Sequence, residues 1–358
     1  MDTFKLLKRL TEAPGPSGFE QPMAAAIQEL WQPYVDNITV DRLNSVVATK
    51  EGEGDQPRPR LLIAAHLDEI GLMVAQIEEK YGFGYLRLTP LGGVDRRQVI
   101  GQMVEVHGRQ PLVGVLGALP SSRQAEERRN KPYNYEELVA DVGLPYEQVR
   151  ELVSIGDYVT FRQPLRKLYG KRVMGKALDN RASVAAVTIC LEQLCGRTHT
   201  WDVLAVATSQ EETRLLGAYT ASHAYQPDAA LAIDVTFAKA PNVSGNNLFE
   251  LGGGPVLDLG PNIHPGMYKA LKDAAEAIEM DVHTGTHTRS SGTDAYGIQV
   301  ARAGIPTGLI GIPLRNMHTM VEIVDKADVE RSGRLMAEFI TRLDEQFLGN
   351  LAKGMMEK

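Results

Sequence analysis

The amino-acid sequence predicts an α/β fold: a mixed, largely parallel sheet sandwiched by helices, interrupted by an inserted small β-barrel-like domain. Three features carry that expectation. From Gly175 onward, apolar strand-like runs alternate with helical stretches, the pattern of a sheet with helices on both faces. The run at 61–65 is apolar at every position, as a buried strand requires. Between Gly71 and Pro164 the chain changes to short β segments punctuated by glycine and proline. Residues 71–164 are therefore expected to form the insert, and residues 1–70 with 165–358 the main domain.

In chain order, Phe4, Leu6, Leu7 and Leu10 lie at helical spacing over 3–12, and Pro-Gly-Pro-Ser-Gly at 14–18 stops that helix. A second amphipathic helix is expected at 23–30, then short strands at 37–40 and 45–49 before the buried strand at 61–65. Within the insert, strands are expected at 84–88, 99–106, 112–116 and 158–161, and the charge-dense stretch 121–137 reads as a solvated loop. The alternation that follows places helices at 181–194, 216–224 and 268–278, strands at 202–208, 229–235 and 307–312, and one long helix at 326–348.

Composition narrows the function. The 358 residues are 43% hydrophobic and 23% charged, the balance of a soluble enzyme with a large core, which sets aside disorder and fibrous repeats. A net charge of −7 leaves no basic surface for neutralising phosphates, so nucleic acid is not an expected partner. No segment approaches the ~18 apolar residues of a membrane span, and the first residues lack the apolar core of a secretory signal. Cys190 and Cys195 both fall in the apolar stretch 185–195 and read as buried thiols of a reducing compartment, so a cytoplasmic location is expected.

Chemistry concentrates at expected strand ends, where open α/β sheets gather reactive groups: His66, Asp68, Glu211, Glu212 and Asp234. His66 and Asp68 are two apart and share a side, so Asp68 can orient the imidazole. If the strand before them continues, adjacent Glu211 and Glu212 face opposite ways, and one can ligate a metal while the other handles a water's proton. Asp234 interrupts the apolar run Leu-Ala-Ile-Asp-Val, and a buried carboxylate needs a partner or a metal. Asp179 precedes an apolar helix and reads equally as an N-terminal cap. His318 follows the run at 307–312 and can serve as a ligand. Imidazoles and carboxylates together suit zinc, cobalt or manganese, with too little sulfur for a structural cysteine site.

The ordered strings APGPSGFE from Ala13, AAHLDEIGLMV from Ala64, GKALDNRASV from Gly175, SQEE from Ser209, AIDVT from Ala232, GPNIHP from Gly260, GTDAYGIQ from Gly292 and RNMHTMVEIVD from Arg315 span nearly the whole chain. Together they resemble the glutamyl or deblocking aminopeptidases, dinuclear metallopeptidases that build tetrahedral (TET) particles. The resemblance implies two divalent metal ions per subunit, zinc or cobalt, with His66 and Asp234 on one, Glu212 and His318 on the other, and Asp179 bridging. It implies Glu211 as general base and then acid, and Asp68 as the residue holding His66. It further implies peptide substrates trimmed from the N-terminus, the insert as dimerisation domain, and a homo-oligomer, a dodecamer built from dimers. Thr213-Arg214-Leu215 and Ser290-Ser291 depart from the family's pattern and bear on substrate preference.

Other readings are a dinuclear metal carboxypeptidase or amidohydrolase, a metal-independent glycosidase, and a non-catalytic scaffold. The insert lies between His66 and Asp179, whereas in carboxypeptidase-like relatives the extra domain follows the later ligands. A glycosidase needs two carboxylates facing each other across a bond without metal. Glu211, which binds no metal in the family arrangement, argues against a scaffold. Gly252-Gly253-Gly254 lacks the Lys-Ser or Lys-Thr ending of a phosphate loop and reads as a turn, and His107, His199, His223, His283 and His287 receive no role.

Overall fold

The computed structural model describes residues 1–128, 131–241 and 243–353. The chain opens with α1 (Thr3–Glu12) and α2 (Gln21–Trp31). Asp2 caps α1 by accepting from the Phe4 and Lys5 amides at 3.0 and 3.2 Å, and Leu6, Leu7 and Leu10 bury its apolar stripe. Next come β1 (Asn37–Val40), β2 (Val46–Lys50) and β3 (Arg60–His66).

The chain then leaves the main sheet for six strands: β4 (Gly71–Lys80), β5 (Phe83–Leu91), β6 (Met103–His107), β7 (Pro111–Gly117), β8 (Val139–Pro145) and β9 (Tyr158–Phe161). They close a barrel in the order β4-β5-β8-β7-β6-β9, with α3 (Tyr146–Leu152) packed on it and its own core around Val74, Leu86, Val104, Val106 and Val159. Closure removes free strand edges. The expected strand at 99–106 begins only at Met103, because residues 99–102 form a turn, and β4, β8 and α3 add to the segments legible in the sequence. The charged stretch holds three short 3-10 turns, Ser121–Arg123, Glu126–Arg128 and Tyr135–Glu137; its residues 129 and 130 lie outside the described residues.

The return to the main sheet brings β10 (Arg166–Lys167), β11 (Arg172–Gly175), α4 (Leu178–Leu194), β12 (Asp202–Thr208), α5 (Glu211–Arg214), α6 (Leu216–Tyr225) and β13 (Ala229–Phe237). After them follow β14 (Val256–Leu259), α7 (Pro265–Ala277), β15 (His283–Thr286), α8 (Asp294–Gln299), β16 (Thr307–Arg315), β17 (Glu322–Asp325), α9 (Lys326–Thr341) and α10 (Phe347–Lys353). The sheet runs β1-β2-β12-β3-β13-β16-β17-β11-β10, with β14 paired to β16 and β15 to β14. Its centre, β12-β3-β13-β16, is parallel, and antiparallel strands flank it. Strand periodicity divides the burial: Leu61, Ile63 and Ala65 join the core under α1, α4 and α9, while Leu62 and Ala64 meet α6 and α8. Both faces are covered, which is why these strands read as unbroken apolar runs.

The expected long C-terminal helix is two. Thr200 Oγ1 donates to the Leu343 carbonyl at 2.6 Å and Trp201 Nε1 to the Asp344 carbonyl at 3.0 Å, drawing those groups out of the helical ladder, and Phe347 restarts the chain edge-on against Trp201. Cys190 is buried as expected, but Cys195 is exposed at the end of α4. Gly252-Gly253-Gly254 is a turn docked on α9, with the Gly252 and Gly254 amides donating to Asp328 at 2.7 and 2.9 Å. Among the described residues no helix is long and apolar enough to cross a membrane.

A buried ion network ties the N-terminal turn, the end of β3 and the start of α4 together. Glu69 is 2% exposed and accepts from Lys176 Nζ at 2.6 Å, Arg181 Nη2 at 3.3 Å and the Gly15 amide at 3.2 Å. Arg181, fully buried, also donates to the carbonyls of Leu10, Ala13 and Leu67. Glu69→Ala strands two buried cations and is expected to destabilise the protein by about 3–5 kcal/mol. Arg9→Ala, which breaks an exposed pair with Glu29, is expected to cost less than about 1 kcal/mol; urea unfolding of both variants checks the contrast.

Candidate metal centre

The parallel strands β3, β12, β13 and β16 end on one edge of the sheet, and the site is built there. His66 and Asp234 continue the phase of Leu62 and Ala64 and of Ala230 and Ala232, so both emerge on the α6 and α8 side. The Glu211-Glu212 pair follows β12 and His318 follows β16. Asp179 comes from the opposite direction, at the start of α4.

The structure brings all seven sequence-derived residues together. Asp179 sits between two imidazoles: Oδ1 lies 3.2 Å from His66 Nε2, and Oδ2 lies 3.4 Å from His318 Nε2. Around His66, Glu211 Oε2 is at 3.7 Å and Asp234 Oδ1 at 3.9 Å; Glu212 Oε2 is 3.4 Å from His318 Nε2. Single donor atoms of His66, Glu211 and Asp234, and of His66, Asp179 and Glu212, fall within 4.8 Å of one another. Distance alone thus does not divide Glu211 from the candidate ligands. These groups line one end of a cavity of about 460 Å³, whose remaining wall includes Arg214, Leu215, Phe237, Leu309 and Met317.

The electrostatics fit a site made for cations. Burial, then repulsion from Asp234, Asp294 and Glu212, pushes the Glu211 carboxyl up to about 10. Burial and the facing Asp179 push Glu212 up to about 8, and burial with Asp179 and Asp294 holds Asp234 well above the carboxylate range. Asp179 goes the other way: burial opposes its charge, but the contacts with His318 and His66 outweigh it and lower its pKa. The Asp179 contact raises His318 to about 9, and at His66 burial is overcome by Glu211, Asp179, Asp68 and Asp234. Oxygen and nitrogen donors crowded this closely keep protons where cations would otherwise balance their charge, and such a donor set fits divalent cations.

Two local expectations change. Glu211 and Glu212 do not continue a strand; they sit on the single helical turn α5, entered through Gln210 with φ of +54°. The cause is Asp68, whose carboxylate accepts from the Glu211 and Glu212 amides at 3.0 and 3.2 Å and from the Ser17 hydroxyl. Asp68 still faces His66, its carboxylate 3.5 Å and its carbonyl oxygen 3.3 Å from Nδ1. Asp179 is not a cap: Asn180 after it is also non-helical, so the regular helix begins only beyond Asn180, and the Asp179 oxygens face the two imidazoles instead.

Several supporting residues were missed. Glu322, 2% exposed, accepts from the Asp179 amide through Oε2 and the His318 amide through Oε1, both at 3.0 Å. Asn180 Nδ2 donates to the Ile233 carbonyl beside Asp234 at 3.0 Å. Asp294 is buried, takes the Thr208 hydroxyl on one oxygen and leaves the other without a partner; burial raises its pKa to about 6. His287 lines the cavity with Nε2 3.1 Å from Asp258 Oδ1. From the insert, Gly92 and Gly93 pass so close to Glu212 and His318 that a Cβ on Gly93 would stand 2.6 Å from His318 Nδ1. The Gly-Gly pair at a strand end was the available signal for that approach.

The family model for M42 glutamyl aminopeptidases matches residues 44–335. The chain belongs to the M42 aminopeptidase family. The lysyl aminopeptidase of Pyrococcus furiosus is 34% identical over 349 residues, 96% of this chain and 98% of that one. The solved TET aminopeptidase of the marine sediment archaeon Thaumarchaeota archaeon SCGC AB-539-E09 superposes with a TM-score of 0.91 at 31% identity over 98% of both chains. The TET1 peptidase of Pyrococcus horikoshii, described as assembling into a tetrahedron or a large octahedral shell, gives a TM-score of 0.83 at 29% identity over 96% of this chain and 100% of that one. Membership of the M42 aminopeptidases sets aside the glycosidase, scaffold and carboxypeptidase readings.

Because Asp179 faces both imidazoles, added zinc or cobalt is expected to raise the melting temperature of the metal-stripped M42 enzyme, and Asp179→Asn to abolish most of that rise. Thermal unfolding with and without metal measures both.

Proposed function

We propose that this M42 aminopeptidase removes residues stepwise from the free N-termini of peptides, using water activated between two divalent cations, zinc or cobalt. His66 and Asp234 would hold one cation and Glu212 and His318 the other, with Asp179 offering an oxygen to each. The observation that supports this most is the Asp179 carboxylate, 7% exposed, with one oxygen toward each imidazole. When bound, the two cations supply the positive charge that makes a water acidic near neutral pH and polarises the scissile carbonyl.

The protein's own groups carry the proton. Glu211, against His66, takes a proton from the attacking water and returns it to the leaving amine. Asp68 orients His66 and, through the amides of residues 211 and 212, fixes the turn that bears the base. The substrate's α-amine sits against the carboxylate cluster, and the rest of the cavity takes the first side chain.

For the assembly we propose a homo-oligomer, a dodecamer built from dimers, with the inserted barrel (71–164) as the dimerisation element of a catalytic domain formed by 1–70 and 165–358. The solved TET1 relative supports it, as do Met103, Val113 and Val115, apolar side chains exposed on β6 and β7. We place the enzyme in the cytoplasm, where its two unpaired thiols stay reduced.

Mass spectrometry of products from peptides blocked at one end or the other tests the function. With cobalt or zinc, trimming is expected only where the N-terminus is free, and a chelator is expected to stop it; loss of residues from the C-terminus contradicts the proposal. Glu211→Gln is expected to lower kcat at least about a hundredfold while both metals stay bound.

A further inference from the structure

The turn that carries the base is not held by its own packing. None of the four residues of α5 is fully buried, so no apolar anchor sets its rotation against the sheet. Both ends are in the left-handed region, Gln210 at φ +54° and Leu215 at φ +58°. For residues with a Cβ that conformation costs on the order of 1–3 kcal/mol and persists only where surrounding contacts over-determine it.

Beside Ser45, which holds Ser209, and the turn's own backbone bonds, contacts at its entry come from the N-terminal turn, 190 residues away in sequence. Glu20 is fully buried, and its Oε1 accepts from the Gly18 amide at 2.7 Å and the Gln210 amide at 3.2 Å. Ser17 donates to Asp68, which in turn accepts from the next two amides, those of Glu211 and Glu212. Three successive amides, 210 to 212, therefore end on two carboxylates, one of them on the turn itself and the other held by it. The turn is immobilised behind them: the Ser17 amide donates to the Glu69 carbonyl at 3.3 Å, the Glu69 amide to the Gly15 carbonyl at 3.1 Å, and the Gly15 amide to the Glu69 carboxylate at 3.2 Å. Burial pushes the Glu20 carboxyl up to about 7, and its Oε2 has no partner, so the accepting oxygen Oε1 is what the side chain contributes.

We propose that Glu20 is a positioning residue for Glu211: by pinning the Gln210 amide it sets where the base points. A displacement of about 1 Å at a reacting group can cost on the order of a hundredfold in rate, so a lost pin is read in kcat and not in binding. This rests on Glu211 acting as the base.

The test compares Glu20→Ala, Glu20→Gln, Glu211→Gln and the double variant Glu20→Ala/Glu211→Gln in the metal-loaded enzyme, with amide hydrogen exchange of the metal-free protein alongside. Glu20→Ala is expected to lower kcat at least about tenfold, to leave KM within about twofold, and to speed exchange in the peptide spanning residues 209–215. Glu20→Gln keeps an accepting oxygen and is expected to restore most of both losses. Added to Glu211→Gln, Glu20→Ala is expected to lower kcat no further, because the group it positions is already gone. Full activity in Glu20→Ala, or an undiminished additional loss in the double variant, overturns the proposal while Glu211→Gln alone remains inactive. Activity retained in Glu211→Gln overturns the assignment of the base itself. Should Glu20→Ala not fold, Glu20→Leu fills the same buried site without an accepting oxygen and is read by the same criteria: a loss confined to kcat supports the pin, and no loss rejects it.

Discussion

The Asp179 carboxylate is the interaction on which the rest of the centre depends. Its two oxygens lie 3.2 and 3.4 Å from imidazoles that arrive from different strands, and it is itself buried. Around it stand Glu211, Glu212 and Asp234, so the negative charge far exceeds what two histidines can balance in a place with little water. Burial and mutual repulsion drive those carboxyls upward while the histidines are driven up by the same neighbours. A cluster of this kind is suited to cations, and four of its five candidate ligands, His66, Glu212, Asp234 and His318, come from the ends of four parallel strands, while Asp179 comes from the start of α4.

Holding such a cluster falls to main-chain hydrogen bonds rather than to side-chain packing. Glu322 spans the amides of Asp179 and His318, Asp68 those of Glu211 and Glu212, and Glu20 that of Gln210. Each is a buried acceptor, and a buried amide left without one would lose free energy comparable to a hydrogen bond. The inserted barrel also reaches the centre: just after β5, Gly92 lies close to Glu212, and Gly93 approaches His318 so nearly that a Cβ there would stand 2.6 Å from Nδ1.

How much of this was legible follows from how local each cause is. The central strands announced themselves because burial on both faces leaves an unbroken apolar run, and Asp234, an acid inside such a run, stood out, whereas His66 gained meaning only together with the other strand-end residues. Asp179 was ambiguous because an aspartate ahead of an apolar helix looks the same whether it caps or not; only the non-helical Asn180 after it and the imidazoles facing its oxygens separate the two. Glu20, Ser17 and Glu322 were silent because they act on amides far away in sequence, which no spacing rule reaches. The split between α9 and α10 was hidden for the same reason, since the groups that end α9 belong to Thr200 and Trp201. In the barrel, β4 carries a bulge between Val74 and Gln76 and ends in Glu-Glu-Lys, which blurs the alternation that would reveal it.

Anomalous diffraction from crystals grown with zinc or cobalt tests the central claim most directly. The account predicts two metal peaks per chain, one among His66, Asp179 and Asp234 and the other among Asp179, Glu212 and His318, with Asp179 common to both. A single peak, or two peaks of which neither touches Asp179, would contradict it.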